Sequence, residues 1–325
     1  MGQQFRIQRT VGVMPVVSGG AATMDLPRGY DYEALYLRVY GGLQVTTAAT
    51  AVRAEAPCQS ISRVEVVADG RNTIFSAPFW YCVFGAVSRP GMLESGSRYT
   101  TPPSAVGVAT YQVEANGCID FQTVDGERPK DTNFRTSSLQ LLQLRLTFGA
   151  AADNFVGGVS VFNGLNVEIG TSEMVELPDA AGKVTSPNAL AKTSFQEIAV
   201  PSSNANQEIR LPAGNLIKQL VLRTEGSPTA GEPSTTILQS AQAFSGVDVR
   251  LNLSANAMRA KNNNDFGFVQ AGYYIMDFTR NGSIQARLSE LWDVTRQAEP
   301  KISMNITGGA SVKAQVVVRE YIGLA

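Results

Sequence analysis

Histidine is absent from the chain. That removes the commonest general base, the usual partner of a serine or cysteine nucleophile, and the most frequent zinc ligand. The three cysteines, Cys58, Cys82 and Cys118, thus have no imidazole to activate them. Their odd number and spacing match no metal motif, and they read as buried, reduced thiols. No GxGxxG follows a strand and no GxxxxGK[ST] occurs, so no phosphate-cradling loop is recognisable. Acids are scattered, and no pair stands out for glycoside hydrolysis. The chain is not expected to be an enzyme.

Three weaker constellations remain. The run Asn262, Asn263, Asn264, Asp265 could offer oxygen ligands to calcium, with Asn262, Asn264 and Asp265 the candidates. It lacks EF-hand spacing, and consecutive asparagines more often mark a turn. No other cofactor is expected. Arg6 and Arg9 could touch phosphates of lipid or nucleic acid, although two arginines make a weak patch. The aromatic runs Phe79-Trp80-Tyr81 and Tyr273-Tyr274 sit in strand-like segments, where core and cross-strand packing is commoner than sugar stacking.

The elements that would carry these residues are written twice. Residues 26–38 read LPRGYDYEALYLR and residues 211–223 read LPAGNLIKQLVLR. Without a gap, Leu26, Pro27, Gly29, Leu35, Leu37 and Arg38 meet Leu211, Pro212, Gly214, Leu220, Leu222 and Arg223. Each Leu-Pro-x-Gly turn feeds a strand in which alternate residues are apolar, one face for a core and one for water. Further blocks recur in order. Ser62, Val64, Glu65, Val66 are set against Ser245, Val247, Asp248, Val249, and Asp120-Phe121 against Asp277-Phe278. Residues 142–150 are aligned with 302–310, and LNVEIG (165–170) with QVVVREYIG (315–323). A repeat half a chain long predicts two copies of one domain.

Bulk properties agree. With 325 residues the chain can bury two cores, and 44% hydrophobic against 17% charged residues fits a packed protein with little surface charge. A net charge of −1 supplies no field to draw in nucleic acid, and no sequence-specific binding to it is expected. No apolar run is long enough to span a bilayer, and MGQQFRIQRTVGVMPVV is a poor signal peptide, as for a protein made in a cytoplasm. Gly- and Pro-punctuated alternating runs predict a sandwich or barrel. Residues 88–107 and 224–236 read as irregular stretches and 178–192 as a linker. One helix is predicted, N-capped by Ser283 and running through IQARLSELWDVTR, with Ile284, Leu288, Leu291 and Trp292 on one face.

Several segments also resemble a family. They are Leu26, Pro27, Gly29, Tyr32, Glu33, Leu37, Arg38; then Ile61, Val64, Val66, Asp69, Gly70, Arg71; and finally Val317 to Gly323. Together they are similar to the double jelly-roll major capsid proteins, most of all those of tailless icosahedral bacteriophages with an internal membrane, the corticovirus-like group. The resemblance covers most of residues 20–85 and 205–325, and rests on the order and duplication of strand and turn signatures.

The resemblance implies an all-β fold of two tandem eight-stranded jelly rolls with a short helix in the second. It implies an N-terminal arm (1–19), jelly roll 1 (20–177), the linker (178–192) and jelly roll 2 (193–325). Three chains would form a pseudo-hexameric capsomer, and capsomers an icosahedral virion shell beside minor capsid or penton proteins. The arm would face inward, making Arg6 and Arg9 candidate contacts to the internal membrane or genome. Other readings of paired jelly rolls are a carbohydrate-binding, lectin-like protein, a glycosidase or deglycosylase, and, within a virus, a minor capsid or spike protein.

Overall fold

The computed structural model describes residues 4–85, 100–121, 132–177, 189–226, 231–266, 269–278, 291–297 and 299–323. Among these residues, sixteen principal strands build two barrels. The first comprises β1 (Gln4–Pro15), β2 (Ala21–Asp25), β3 (Asp31–Thr47), β4 (Ile61–Ala68), β5 (Asn72–Ala77), β6 (Ala109–Asp120), β7 (Leu142–Phe148) and β8 (Val159–Glu176). The second comprises β9 (Ala189–Ala199), β10 (Asn204–Arg210), β11 (Leu216–Glu225), β12 (Leu238–Ser245), β13 (Asp248–Ser254), β14 (Tyr273–Asp277), β15 (Lys301–Ile306) and β16 (Lys313–Gly323).

Strand order repeats as well as sequence. The first barrel has sheets β1-β8-β3-β6 and β2-β7-β4-β5; the second has β9-β16-β11-β14 and β10-β15-β12-β13. This is one jelly roll made twice. Alternation sets the faces: Leu142, Leu144, Leu146 and Phe148 of β7 are buried, while Gln143, Arg145 and Thr147 point away from the core. Full burial of each such apolar side chain is worth roughly 1.5–3 kcal/mol. The entry turns match too. Gly29 (φ +115°) and Gly214 (φ +89°) both adopt backbone that favours glycine, which explains the shared Leu-Pro-x-Gly.

The barrels share a sheet. β5 of the first meets β9 of the second in a short parallel contact, Phe75 opposite Thr193, so β2-β7-β4-β5 runs on into β9-β16-β11-β14. One core fills the first barrel and a second lies inside the other, but Val221, Tyr273, Ile275 and Val317 of the second barrel pack with the first core. β16 is buried on both faces over most of its length.

Several expectations need revision. Residues 4–15 of the proposed arm are strand β1, paired antiparallel along β8 from Gln4–Glu176 to Pro15–Asn166. Of the linker, residues 178–188 lie outside the described residues, and 189–192 already belong to β9. Ser283 and residues 284–290 also lie outside them; Trp292 is in a short strand, Trp292–Asp293, beside Leu216–Ile217. Within the second barrel the described helix is α1 (Ala255–Phe266), which contains the asparagine run expected as a turn. Ser254 caps it by accepting the Ala257 N–H at 3.2 Å. Phe79, Trp80 and Tyr81 enter a helical turn (Tyr81–Gly85) rather than a strand. Residues 88–99 of the irregular stretch are not described, and Thr100–Thr101 pairs with β6.

Candidate functional site

Among the described residues, buried charge gathers at the junction between the barrels and along the sheet β1-β8-β3-β6. At the junction, β11 sends Arg223 outward from its own barrel, yet the residue is 1% exposed. Glu55, from the β3–β4 connection of the first barrel, accepts Arg223 Nε at 2.7 Å and Nη2 at 2.6 Å. Nη1 donates to Glu225 and, at 3.0 Å, to Gln315; Nη2 also donates to the Gly231 carbonyl at 3.0 Å. The Tyr273 hydroxyl donates to Glu55 as well. Trp80 stacks edge-on to Tyr273 at 5.1 Å and lies 5.7 Å from the guanidinium.

Desolvation opposes the Arg223 charge, but Glu55, Tyr273 and Glu225 outweigh it and hold its pKa well above the usual value. Burial, and then the Glu55 charge, push the Tyr273 phenol well up. The result is a desolvated two-barrel clamp in which the charges are paired.

On the first barrel's outer face, the same repeat position is Arg38. It is exposed, bonded to Glu114 at 2.7 Å and Glu168 at 3.4 Å, and lies 4.8 Å over the Tyr40 ring. Next to it, Arg6 pairs with the nearly buried Glu33, which also accepts the Ser172 hydroxyl at 2.8 Å. On the opposite, core-facing side of the sheet, where Arg9 stands beside Thr171 and Thr171 beside Leu35, Arg9 grips the fully buried Glu173 with bonds of 3.1 and 2.9 Å. Each arginine is raised in pKa, first by its hydrogen bond to that carboxylate. Arg6 and Arg9 are thus clasps that tie β1 to its sheet, each neutralising a buried acid. Sequence reasoning found the cations but missed Glu33 and Glu173, which no local pattern links to them.

Of the calcium candidates, Asn264 and Asp265 meet and Asn262 stands apart. The Asn262 carboxamide is buried and spends both ends on the Ile275 backbone, at 2.6 and 2.8 Å. Asp265 is paired with Lys261 and also accepts the Asn264 side-chain amide N–H at 3.4 Å, so these two side chains are engaged with each other and with Lys261, away from the buried Asn262. Among the described residues, no group of three or more Cys, Asp or Glu is placed to hold a metal. Cys58 and Cys82 are buried free thiols, and Cys118 is half-buried. Phe79, Trp80, Tyr81, Tyr273 and Tyr274 are all buried, in packing and not as sugar platforms. An open groove of about 520 Å³ beside the β5–β9 contact has one ring in its lining, Phe195, and Arg63 already covers it at 5.7 Å.

No protein-family model matches the chain, and no curated protein sequence does. Solved structures do. The major capsid protein (MCP) of Sulfolobus Turreted Icosahedral Virus superposes with a TM-score of 0.70 at 15% identity, covering 99% of this chain and 97% of that one. The major capsid protein P2 of bacteriophage PM2 gives 0.64 at 13% identity, covering 99% and 98%. The Faustovirus major capsid protein gives 0.59 at 8% identity, covering 100% and 91%. The chain therefore has the double jelly-roll fold, in the two-barrel arrangement of these viral proteins.

Proposed function

We propose that the chain is a major capsid protein whose trimers, each a ring of six barrels, tile an icosahedral virion shell. The observation that carries this reading is the superposition over nearly the whole of both chains. The duplication supplies a physical motive, because two barrels in one chain let three chains approximate a six-sided tile. On this reading the protein is made in the host cytoplasm, acts as a structural component without catalysis, and sits in the virion beside neighbouring capsomers and the minor or penton proteins that close the shell. The lectin-like reading loses its motive with the runs Phe79-Trp80-Tyr81 and Tyr273-Tyr274 buried. The pairing of Arg6 and Arg9 with carboxylates also leaves them little free charge to offer a membrane or genome. Light scattering of the purified protein tests the reading: trimers that electron microscopy shows as six-sided particles support it. A persistent monomer across protein concentration and salt refutes it.

A further inference from the structure

The two copies of the repeat differ in what covers them. In the second barrel the outer face of β9-β16-β11-β14 carries Val221 beside Ile275 and Val317, and Arg223 beside Tyr273 and Gln315. All of these are buried, because the first barrel lies on them. The covering element is the connection leaving β5: Trp80 and Phe84 meet Tyr273 at 5.1 and 6.1 Å, and Gly85 passes against Val221. In the first barrel the corresponding face carries Tyr36 beside Cys118 and Gly170, and Arg38 beside Asn116 and Glu168. Among the described residues nothing covers it, and Tyr36 is 45% exposed, with Val13 on the adjoining β1 at 49%.

The second barrel has its own counterpart of the covering element. The connection leaving β13 is α1, which lies beside β14 as the Tyr81–Gly85 turn lies beside β6. Its exposed residues are Asn256, Ala257, Arg259, Ala260, Asn263 and Asn264. Five of those six side chains are uncharged, an unusual surface for a helix that faces only water.

We propose that the face around Tyr36 and Arg38 is docked by the α1 flank of a second copy of this chain. The contact inside the chain, first barrel onto second, is thereby repeated between chains, second barrel onto first. Such a contact is head-to-tail, so it does not stop at a two-fold pair, and on the capsomer reading three copies close it into a ring. The inference rests on the capsomer reading and names its contact surface.

Light scattering on the full chain and two variants, Tyr36→Asp and Asn263→Asp, tests it. Both positions are exposed, so circular dichroism should match the wild type, while each variant melts lower than a trimeric wild type because it has lost the subunit contacts. The expected result is a trimer for the wild type and a threefold loss of mass for each variant. An equimolar mixture of the two variants offers one intact face and one intact flank, so it should yield pairs and no trimers. A trimeric wild type with either variant still trimeric overturns the proposed surface and leaves the capsomer reading standing. A monomeric wild type overturns both.

Discussion

Glu55→Gln is the most direct probe of the inter-barrel clamp. It keeps the side-chain volume and removes the charge that faces Arg223 and Tyr273. The guanidinium retains Glu225, Gln315 and the Gly231 carbonyl, so it is weakened and not orphaned. Breaking a buried pair by removing one partner costs roughly 3–5 kcal/mol; the remaining partners place this case at the low end, about 3 kcal/mol. For a chain this long, about 2 °C in Tm accompanies each kcal/mol, a fall of about 6 °C. Arg250→Met is the control, because Arg250–Asp248 is an exposed pair at 2.9 Å and exposed pairs contribute at most about 1 kcal/mol. Urea unfolding at fixed protein concentration, followed by tryptophan fluorescence, reads both. The two tryptophans report separate places, Trp80 the junction and Trp292 the second core. The cycle of Glu55→Gln with Arg223→Met should show a coupling of about 2 kcal/mol. If Glu55→Gln costs no more than Arg250→Met, the clamp does not hold the barrels together.

Further expectations concern titration, register and metal. Burial raises the phenols of Tyr32, Tyr81, Tyr273 and Tyr274, Tyr81 to about 12. A raised folded pKa gives stability that is full below the ordinary value near 10 and is lost as pH climbs. Unfolding should therefore become easier from about pH 10 upward, with tyrosinate absorbance appearing together with unfolding; ionisation of these buried phenols in the intact fold would contradict it. Val64→Asp should abolish folding, since Val64 is 0% exposed, whereas Val247→Asp should change stability by less than about 0.5 kcal/mol, since Val247 is fully exposed. Circular dichroism melts compare them, and equal damage would undo the structural alignment. Calcium and chelator should give the same Tm, because Asn262 and Asp265 are already engaged; a calcium-dependent rise that Asp265→Asn removes would restore the asparagine run as a site.

The sequence spoke clearly where a turn fixed the register. Counting from Leu-Pro-x-Gly, Glu33 corresponds to Lys218, and the structure agrees: Phe121 N–H donates to the Glu33 carbonyl and Phe278 N–H to that of Lys218, both at 2.9 Å. Where no turn intervened, period-two alternation could not fix it. Gly149 N–H meets the Ser60 carbonyl and Thr307 N–H that of Ile237. The β7 and β15 blocks were therefore aligned two positions out, which leaves inward and outward residues unchanged. The Ser-x-Val-acid-Val match fails. Its first copy lies in β4, its second in the β12–β13 turn, and the partners of Val64 and Val66 are Ala241 and Ala243, seen from their pairing with Met304 and Ile302. Helix α1 escaped notice because its buried stripe, Ala255, Met258, Asn262, Phe266, has helical spacing but includes an amide. The clamp was illegible because Arg223 and Glu55 are 168 residues apart and their exposed-looking pattern is buried only by the other barrel.

The shared sheet gives synthesis a direction. A chain leaving the ribosome presents all eight strands of the first barrel before any of the second. The β5 edge and the Trp80 turn are then waiting when β9 and β11 emerge. Val221, Ile275, Tyr273 and Val317 suit that template and not water, so the second barrel is a client of the first. Residues 189–325 made alone should accumulate as aggregate, and co-expression of residues 1–177 should rescue them into solution. A gene order with the halves exchanged would expose that apolar face during every round of translation, a cost that the present order avoids.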